Sequence, residues 1–243
     1  MSAGVVRVGA TVRKPATSAT PSVDHLLAYL AECGFDGAPR PLGQDDQGRQ
    51  VLEYVAGDVA HDLPALDLDG LFRVGRLIRS LHDLTQGYAP PPWARWNVVL
   101  LPDREDLVCH HDLAPWNLVI APDRWVLIDW DNAGPSSREW EIAYAAHGFV
   151  GLADGNDPTD DAPRLAALVD GYGLDLAARE HLCDVLSGPV RAMWRRLVLG
   201  GETGSDPWAS LHADGHADHW GPAADYIDHH QNEWRRALLG RAG

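Results

Sequence analysis

Cysteine is scarce in this chain. There are three, Cys33, Cys109 and Cys183, widely spaced and with no CxxC pair. An odd, dispersed set excludes a disulfide framework and a cysteine-built structural zinc site, and it fits a reducing cytoplasm. Long apolar runs are also missing. The longest, such as Val98 to Leu101, fall far short of the roughly 20 residues that cross a bilayer. Met1 to Ala10 has no long apolar core behind a basic start, so neither a membrane span nor a signal peptide is expected. Positive charge is in short supply: 20 Lys and Arg stand against 35 Asp and Glu, a net charge of −15. A nucleic acid would be repelled, and no basic stripe offsets this. An acidic field favours a cationic partner instead.

What is present describes a globular protein. The chain has 243 residues, 45% of them hydrophobic, enough for one large domain or two small ones with real cores. Val5 to Val8 and Thr11 to Lys14 read as a hairpin across Gly9-Ala10, stopped by Pro15. A Pro/Ser/Thr/Ala linker follows, and Ser22 then reads as the N-cap of a helix carrying Val23, Leu26, Leu27 and Leu30 on one face. Gly34 suits its C-terminus. Asp45 to Gly48 is the expected tip of a second hairpin, with Gln50 to Val55 as its returning strand. Residues 1–56 thus read as a small β-β-α-β-β lobe. From Asp69 the apolar spacing turns helical and runs out near His82-Asp83. Two short apolar strands, Leu107 to Cys109 and Trp125 to Ile128, flank a polar loop and read as a hairpin. Helices are then expected over Arg164 to Tyr172, Leu176 to about Leu199, and Ala223 to Leu239.

The chemistry sits in the polar loop. One strand delivers His110 and Asp112, Asn117 follows five residues on, and the second strand ends at Asp129. An Asp, an Asn and a second Asp at one edge are oxygen ligands of the kind Mg²⁺ takes beside substrate phosphates. A carboxylate not consumed by metal can accept a hydroxyl proton. Such a set suffices for phosphoryl transfer, where positioning and charge neutralisation do most of the work.

His110-x-Asp112-x₄-Asn117 followed by Ile128-Asp129-Trp130 resembles the catalytic loop and metal-binding motif of the aminoglycoside phosphotransferase and choline kinase families, relatives of the protein kinases. The resemblance implies an α+β, protein-kinase-like two-lobe fold, with a reduced N-terminal β lobe over residues 1–56 and a mainly helical C-terminal lobe over 57–243. It implies an ATP- and Mg²⁺-dependent transfer of a phosphoryl group to a small-molecule hydroxyl. Asp112 would be the catalytic base, His110 would brace the loop, and Asn117 and Asp129 would hold Mg²⁺. Asp131 either faces solvent, the preferred reading, or assists the metal, and His111 and Trp116 are expected to be packing or loop residues. Val51 to Gly57 resembles the strand with which such enzymes hold adenine, so the main chain of Glu53, Tyr54 and Val55 would contact the base. Glu141 stands where the family carries an Asp, and would anchor the catalytic loop.

The resemblance has gaps. Only Met1 to Gly4 precedes the first strand, and one glycine is not a phosphate cradle. Two residues could supply the strand-borne cation that meets the α/β-phosphates, Arg13 and Lys14. Alternation sends them to opposite faces; Arg13 is preferred, because Lys14 abuts Pro15. The acid that should hold this cation is Asp24 or Glu32, neither well placed, which leaves an inactive nucleotide-binding protein as the alternative. For a cationic acceptor, Asp157, Asp160, Asp161, Glu202, Asp206 and Asp225 could form an acidic rim, and Trp194, Trp208, Trp220 and Trp234 could line a wall. His212, His216 and His219 are placed in a loop by Gly215 and Gly221.

Overall fold

A computed structural model of the chain describes residues 4–240. Met1 to Ala3, part of the segment judged too short for a phosphate loop, lie outside the described residues. The chain forms two compact units. The first comprises Met1–Ala65, Ser80–Val99 and Asp106–Pro135, and the second comprises Leu66–Arg79, Leu100–Glu105 and Ser136–Gly243.

The first unit opens with the expected hairpin, β1 (Val6–Val8) and β2 (Thr11–Lys14). With β3 (Pro41–Gln44) and β4 (Gln50–Glu53) it makes an antiparallel sheet in the order β1-β2-β4-β3. Between β2 and β3 lies α1 (Thr20–Glu32), whose Val23, Leu26, Leu27 and Leu30 are buried. Its N-cap is Ala19 rather than Ser22. Ser22 is buried within the helix, where its Oγ accepts the Arg95 amide at 2.7 Å. Gly34, at φ +78°, ends the helix as expected: its amide bonds to Ala31 and the Phe35 amide to Leu30. This paired closure needs a left-handed residue, which glycine adopts without a Cβ penalty.

The rest of the unit corrects one pairing. The partner of β8 (Trp125–Leu127) is β7 (Leu118–Ile120), with β5 (Asp58–Val59) on β7's other edge. The run Leu107–Cys109 is β6, which belongs to a separate two-stranded ladder with β9 (Gly134–Ser136). Two short apolar runs on either side of a loop look like a hairpin in any sequence; the 3-10 turn at Pro115–Asn117 intervenes and starts a third strand. Val55, Val119, Ala121 and Val126 are buried together, with Val59 and Ile128 packed on them. The Leu127 amide bonds to the Gly37 carbonyl at 2.9 Å. These contacts tie β7 and β8 to the amino-terminal part of the chain, and the first compact unit runs past residue 56.

The second unit is helical. It takes the first part of α2 (Leu68–Thr85), then α3 (Arg138–Val150) and α4 (Pro158–Tyr172). After these come α5 (Leu176–Val185), α6 (Gly188–Thr203), α7 (Trp208–Ala213), α8 (His216–His229) and α9 (Gln231–Leu239). The side chains of Ser137, Asp157 and Asp175 cap α3, α4 and α5. The helix expected from Leu176 to Leu199 is two, because Gly188-Pro189 opens α6 and proline, lacking an amide proton, fits a first turn. The histidine segment is helical rather than looped. Gly215 does turn the chain, at φ +84°, but Gly221 lies inside α8. A Cβ on Gly221 would come within 2.8 Å of Trp194 Nε1, so close approach of that indole explains the glycine. Where α2 crosses α4, a Cβ on Gly75 or Gly171 would lie 2.1 Å from the Leu168 or Phe72 carbonyl oxygen.

Candidate active site

The site is built within the first unit, from the loop that follows β6. His110 is fully buried. Its Nδ1 accepts the Asp112 amide at 3.3 Å, so the ring proton is on Nε2, which donates to the Ile128 carbonyl at 3.0 Å. The ring packs 4.6 Å from that of Trp130. His111 takes a left-handed φ of +68°, and its Nε2 donates to the Pro135 carbonyl at 3.0 Å. That reversal brings Asp112 back across the loop.

The 3-10 turn Pro115–Asn117 then places the amide side chain of Asn117. Its Nδ2 donates to the Asp112 carbonyl and to Asp112 Oδ2, both at 2.9 Å. Both amide protons are thereby engaged, and Asn117 Oδ1 keeps its lone pairs for another partner. The Ile128 amide bonds to the Asn117 carbonyl at 2.8 Å. Ile128 is thus held at both ends, by Asn117 and by His110, and Asp129 follows it directly. Asp129 is left-handed at φ +61°, a conformation uncommon outside glycine and asparagine-like residues, which turns its carboxylate out of the line of β8.

A cation from the amino-terminal sheet meets this carboxylate. Lys14 Nζ lies 3.1 Å from Asp129 Oδ1 and 2.6 Å from Asp131 Oδ1. The lysine side chain is 8% exposed and the two aspartates 39% and 40%. This corrects two expectations. Lys14, not Arg13, faces the site; Arg13 points to the opposite side of β2 and pairs with Asp45 at 3.4 Å. Asp131 is not simply solvated but pairs with Lys14. Being followed by Pro15 does not turn Lys14 away, because proline restricts the preceding backbone to extended values that a strand already has.

The acid on α1 is Asp24; Glu32 is exposed at the far end of the helix. Asp24 does not touch Lys14. Its Oδ1 accepts from Gln50 Nε2 at 2.6 Å, and Gln50 is the residue directly opposite Lys14 in the β2–β4 ladder. Burial pushes the Asp24 carboxyl up from its ordinary range, while the Gln50 hydrogen bond and the Lys14 charge pull it down.

The expected adenine segment is less open than its sequence suggests. The Glu53 amide bonds to Arg40 and the Tyr54 amide to Ala10, each at 2.9 Å. The Glu53 carboxylate pairs with Arg124, and the Tyr54 ring lies under the Arg7 guanidinium at 3.7 Å. Neither side chain reaches the residues named above, and neither amide is left to donate. Val55 lines the apolar cluster with Val119 and Val126.

In the second unit, Glu141 is buried on α3. Most of the supposed acidic rim serves the fold. Asp157 caps α4, Asp161 accepts the Tyr226 hydroxyl at 2.9 Å, Asp206 accepts the Ser210 hydroxyl at 2.7 Å, and Asp225 pairs with Arg191. Trp220 and Trp234 are buried.

Sequence reasoning missed Gln50 and preferred solvent for Asp131. The Asp129-x-Asp131 spacing was a usable signal for the second. Nothing in the sequence marked Gln50, whose role depends on strand register.

Comparison with known proteins bears on the family and the fold. The family model for the phosphotransferase enzyme family matches residues 93–183. The trifolitoxin immunity protein of Rhizobium leguminosarum bv. trifolii is 31% identical over 196 residues, covering 75% of this chain and 75% of that protein. An amicoumacin kinase solved with AMP-PNP, Ca²⁺ and Ami superposes with a TM-score of 0.64 at 12% identity, over 94% of this chain and 89% of that one. A microcompartment-associated aminopropanol kinase gives 0.65 at 16% identity, over 98% and 92%. A choline/ethanolamine kinase family protein from Mesorhizobium loti gives 0.62 at 14% identity, over 98% and 89%. These likenesses show the protein-kinase-like α+β fold that the motif implied.

Proposed function

We propose that this chain, which belongs to the phosphotransferase enzyme family, moves the γ-phosphoryl group of ATP to a hydroxyl of a small molecule with the help of Mg²⁺. One observation carries the reading. Asn117 holds the Asp112 carboxylate at 2.9 Å with its amide protons, and Lys14 from the amino-terminal sheet reaches Asp129 at 3.1 Å. A held base and a carboxylate paired with a cation thus stand on one stretch of chain, linked through the Ile128 amide, which bonds to the Asn117 carbonyl one residue before Asp129.

The donor set fits a hard cation. Asn117 Oδ1, Asp129 and Asp131 offer oxygen alone, which Mg²⁺ prefers and zinc does not require. When bound there, Mg²⁺ would neutralise phosphate charge and orient the triphosphate. The chain's own groups do the rest. Lys14 supplies positive charge to the phosphates as it leaves Asp129 and Asp131. Asp112 accepts a hydrogen bond from the acceptor hydroxyl and takes its proton as the new P–O bond forms and the bond to ADP breaks. The Asn117 amide fixes the Asp112 carboxylate in one rotamer, and His110 fixes the loop. Adenine would rest on the apolar cluster of Val55, Val119 and Val126, meeting the Val55 amide and the carbonyls of Glu53 and Tyr54. The amides of those last two residues are engaged in the sheet.

The acceptor proposed is a hydroxylated small molecule bearing amino groups, of the kind named for the amicoumacin and aminopropanol kinases. A chain of net charge −15 attracts such a cation. Among the described residues no helix is long and apolar enough to cross a membrane. None of the three cysteines is in a disulfide, which suits a reducing compartment, and we propose the cytoplasm. The test is ADP release in the presence of Mg-ATP and a panel of aminoglycosides and amino alcohols. Turnover with at least one of them, lost in Asp112→Ala, is the expected result. AMP-PNP binding without turnover on the whole panel would replace this reading with a nucleotide-binding protein that does no chemistry.

A further inference from the structure

The Lys14 ammonium has one visible resting place, between Asp129 and Asp131. In the reaction proposed above, those same carboxylates face the metal-bound triphosphate, so Lys14 has to leave them. A buried cation that loses its partners must gain others, since an unpaired charge away from water is strongly unfavourable.

The receiving groups are on the page. Gln50 is 0% exposed and lies directly across the ladder from Lys14. Cross-strand neighbours on one face have Cβ atoms about 5 Å apart, so the two side chains run side by side. Gln50 Nε2 is committed to Asp24 at 2.6 Å, and this fixes which way the amide points. Its Oε1 is therefore turned from Asp24, and it has no hydrogen-bond partner among the described residues. A buried carbonyl oxygen without a donor is unusual in a folded protein and calls for an explanation. Lys14 is the buried cation nearest in the ladder. Asp24, fixed behind Gln50, feels the Lys14 charge but makes no direct contact with it.

We propose that Gln50 is the positioning residue for Lys14 in the nucleotide-bound state: Lys14 moves from Asp129 and Asp131 to Gln50 Oε1, and Asp24 polarises that amide from behind. The amide lengthens the reach of an acid that is too short, and set too early on α1, to hold the lysine itself. The inference rests on the proposed ATP reading but goes further, since that reading needs only a cation near the phosphates.

The experiment is titration calorimetry with AMP-PNP and Mg²⁺, which needs no acceptor. Gln50→Leu is expected to weaken binding about tenfold, as a lost coupling to a charged partner does. In a Lys14→Met background the same change is expected to be silent. Asp24→Asn is expected to weaken binding by a smaller factor. The double variant Gln50→Glu/Asp24→Asn carries the acidic charge one residue closer to Lys14, and is expected to restore affinity to within about threefold of the unsubstituted chain. Equal affinity in Gln50→Leu overturns the proposal, and so does a loss that persists undiminished in the Lys14→Met background. If Gln50→Leu does not fold, the double variant decides: binding near the original level supports the relay, and loss beyond that of Asp24→Asn overturns it. Failure of the unsubstituted chain to bind AMP-PNP sinks the ATP reading itself, a result distinct from any of these.

Discussion

The first unit buries a set of paired polar side chains. His110, Asn117, Gln50 and Lys14 are all buried, and each sits in a hydrogen bond or ion pair with a neighbour from another strand, loop or helix. In the second unit two helices meet backbone to backbone, where Gly75 and Gly171 let α2 and α4 approach with no room for a methyl group. A site made of side-chain chemistry tolerates truncation and loses function. A unit made by close approach tolerates no addition and loses its fold. The two regions should therefore fail in opposite ways.

The largest effect expected is on activity. If Asp112 is the base proposed above, Asp112→Ala should reduce phosphoryl transfer by about 10²–10⁴-fold, while the melting temperature shifts little, since Asp112 is only partly buried. A large melting shift would mean that the first unit is not built as described. The matching change in the second unit is Gly171→Ala. Its Cβ would lie 2.1 Å from the Phe72 carbonyl oxygen, and overpacking against rigid backbone should cost about 3 kcal/mol or more. Urea unfolding would measure it; a loss under 1 kcal/mol would mean that the helices separate easily.

A third prediction concerns pH. His147 in the second unit is buried, and burial holds its imidazole down at about 4, partly offset by its bond to the Leu152 carbonyl. The unfolded chain binds that proton near pH 6.5, so stability is full above this value and falls as pH drops toward 4. The loss is on the order of 3 kcal/mol across that window. His147→Gln should flatten this slope, read from urea midpoints at several pH values; an unchanged slope would remove His147 as its cause.

The smallest effect is in the first unit, at the hairpin tip. Asp45 accepts the amides of Gln47 and Arg49 and pairs with both Arg49 and Arg13. Arg49 beside it is the main reason its carboxyl falls to about 2. Its stabilising effect is present above the unfolded carboxylate value near 4 and is lost as pH falls through about 2. Asp45→Asn should lower the neutral-pH melting temperature slightly, and the gap should close in acid. A gap that persists at pH 2 would point to lost backbone capping instead of charge.

Legibility followed the same division. The motif residues of the first unit could be read because His110, Asp112 and Asn117 lie within one loop, and a loop closed by a single 3-10 turn leaves few arrangements. The choice between Arg13 and Lys14 could not be read. Alternation separates their faces, but which face holds the site depends on what packs there, and α1 with the Asp129 turn decides it. The pairing of Leu107–Cys109 was misread for a related reason, since three apolar residues carry no information about their partner. In the second unit, helices with a capping acid or a closing glycine were partly visible. The break at Leu186-Ser187 and the helical setting of Gly221 were not, because both depend on which neighbour approaches.

By itself the sequence determined the β-β-α-β-β opening and the motif that sets Asn117 beside Asp112, since these depend on spacing along a short stretch of chain. Only the tertiary structure decided that Lys14 pairs with Asp129 and Asp131, and that Gln50, opposite it in the ladder, binds Asp24. Those relations join residues as far apart as 14 and 129, and strand register with helix placement, not local spacing, brings such residues together.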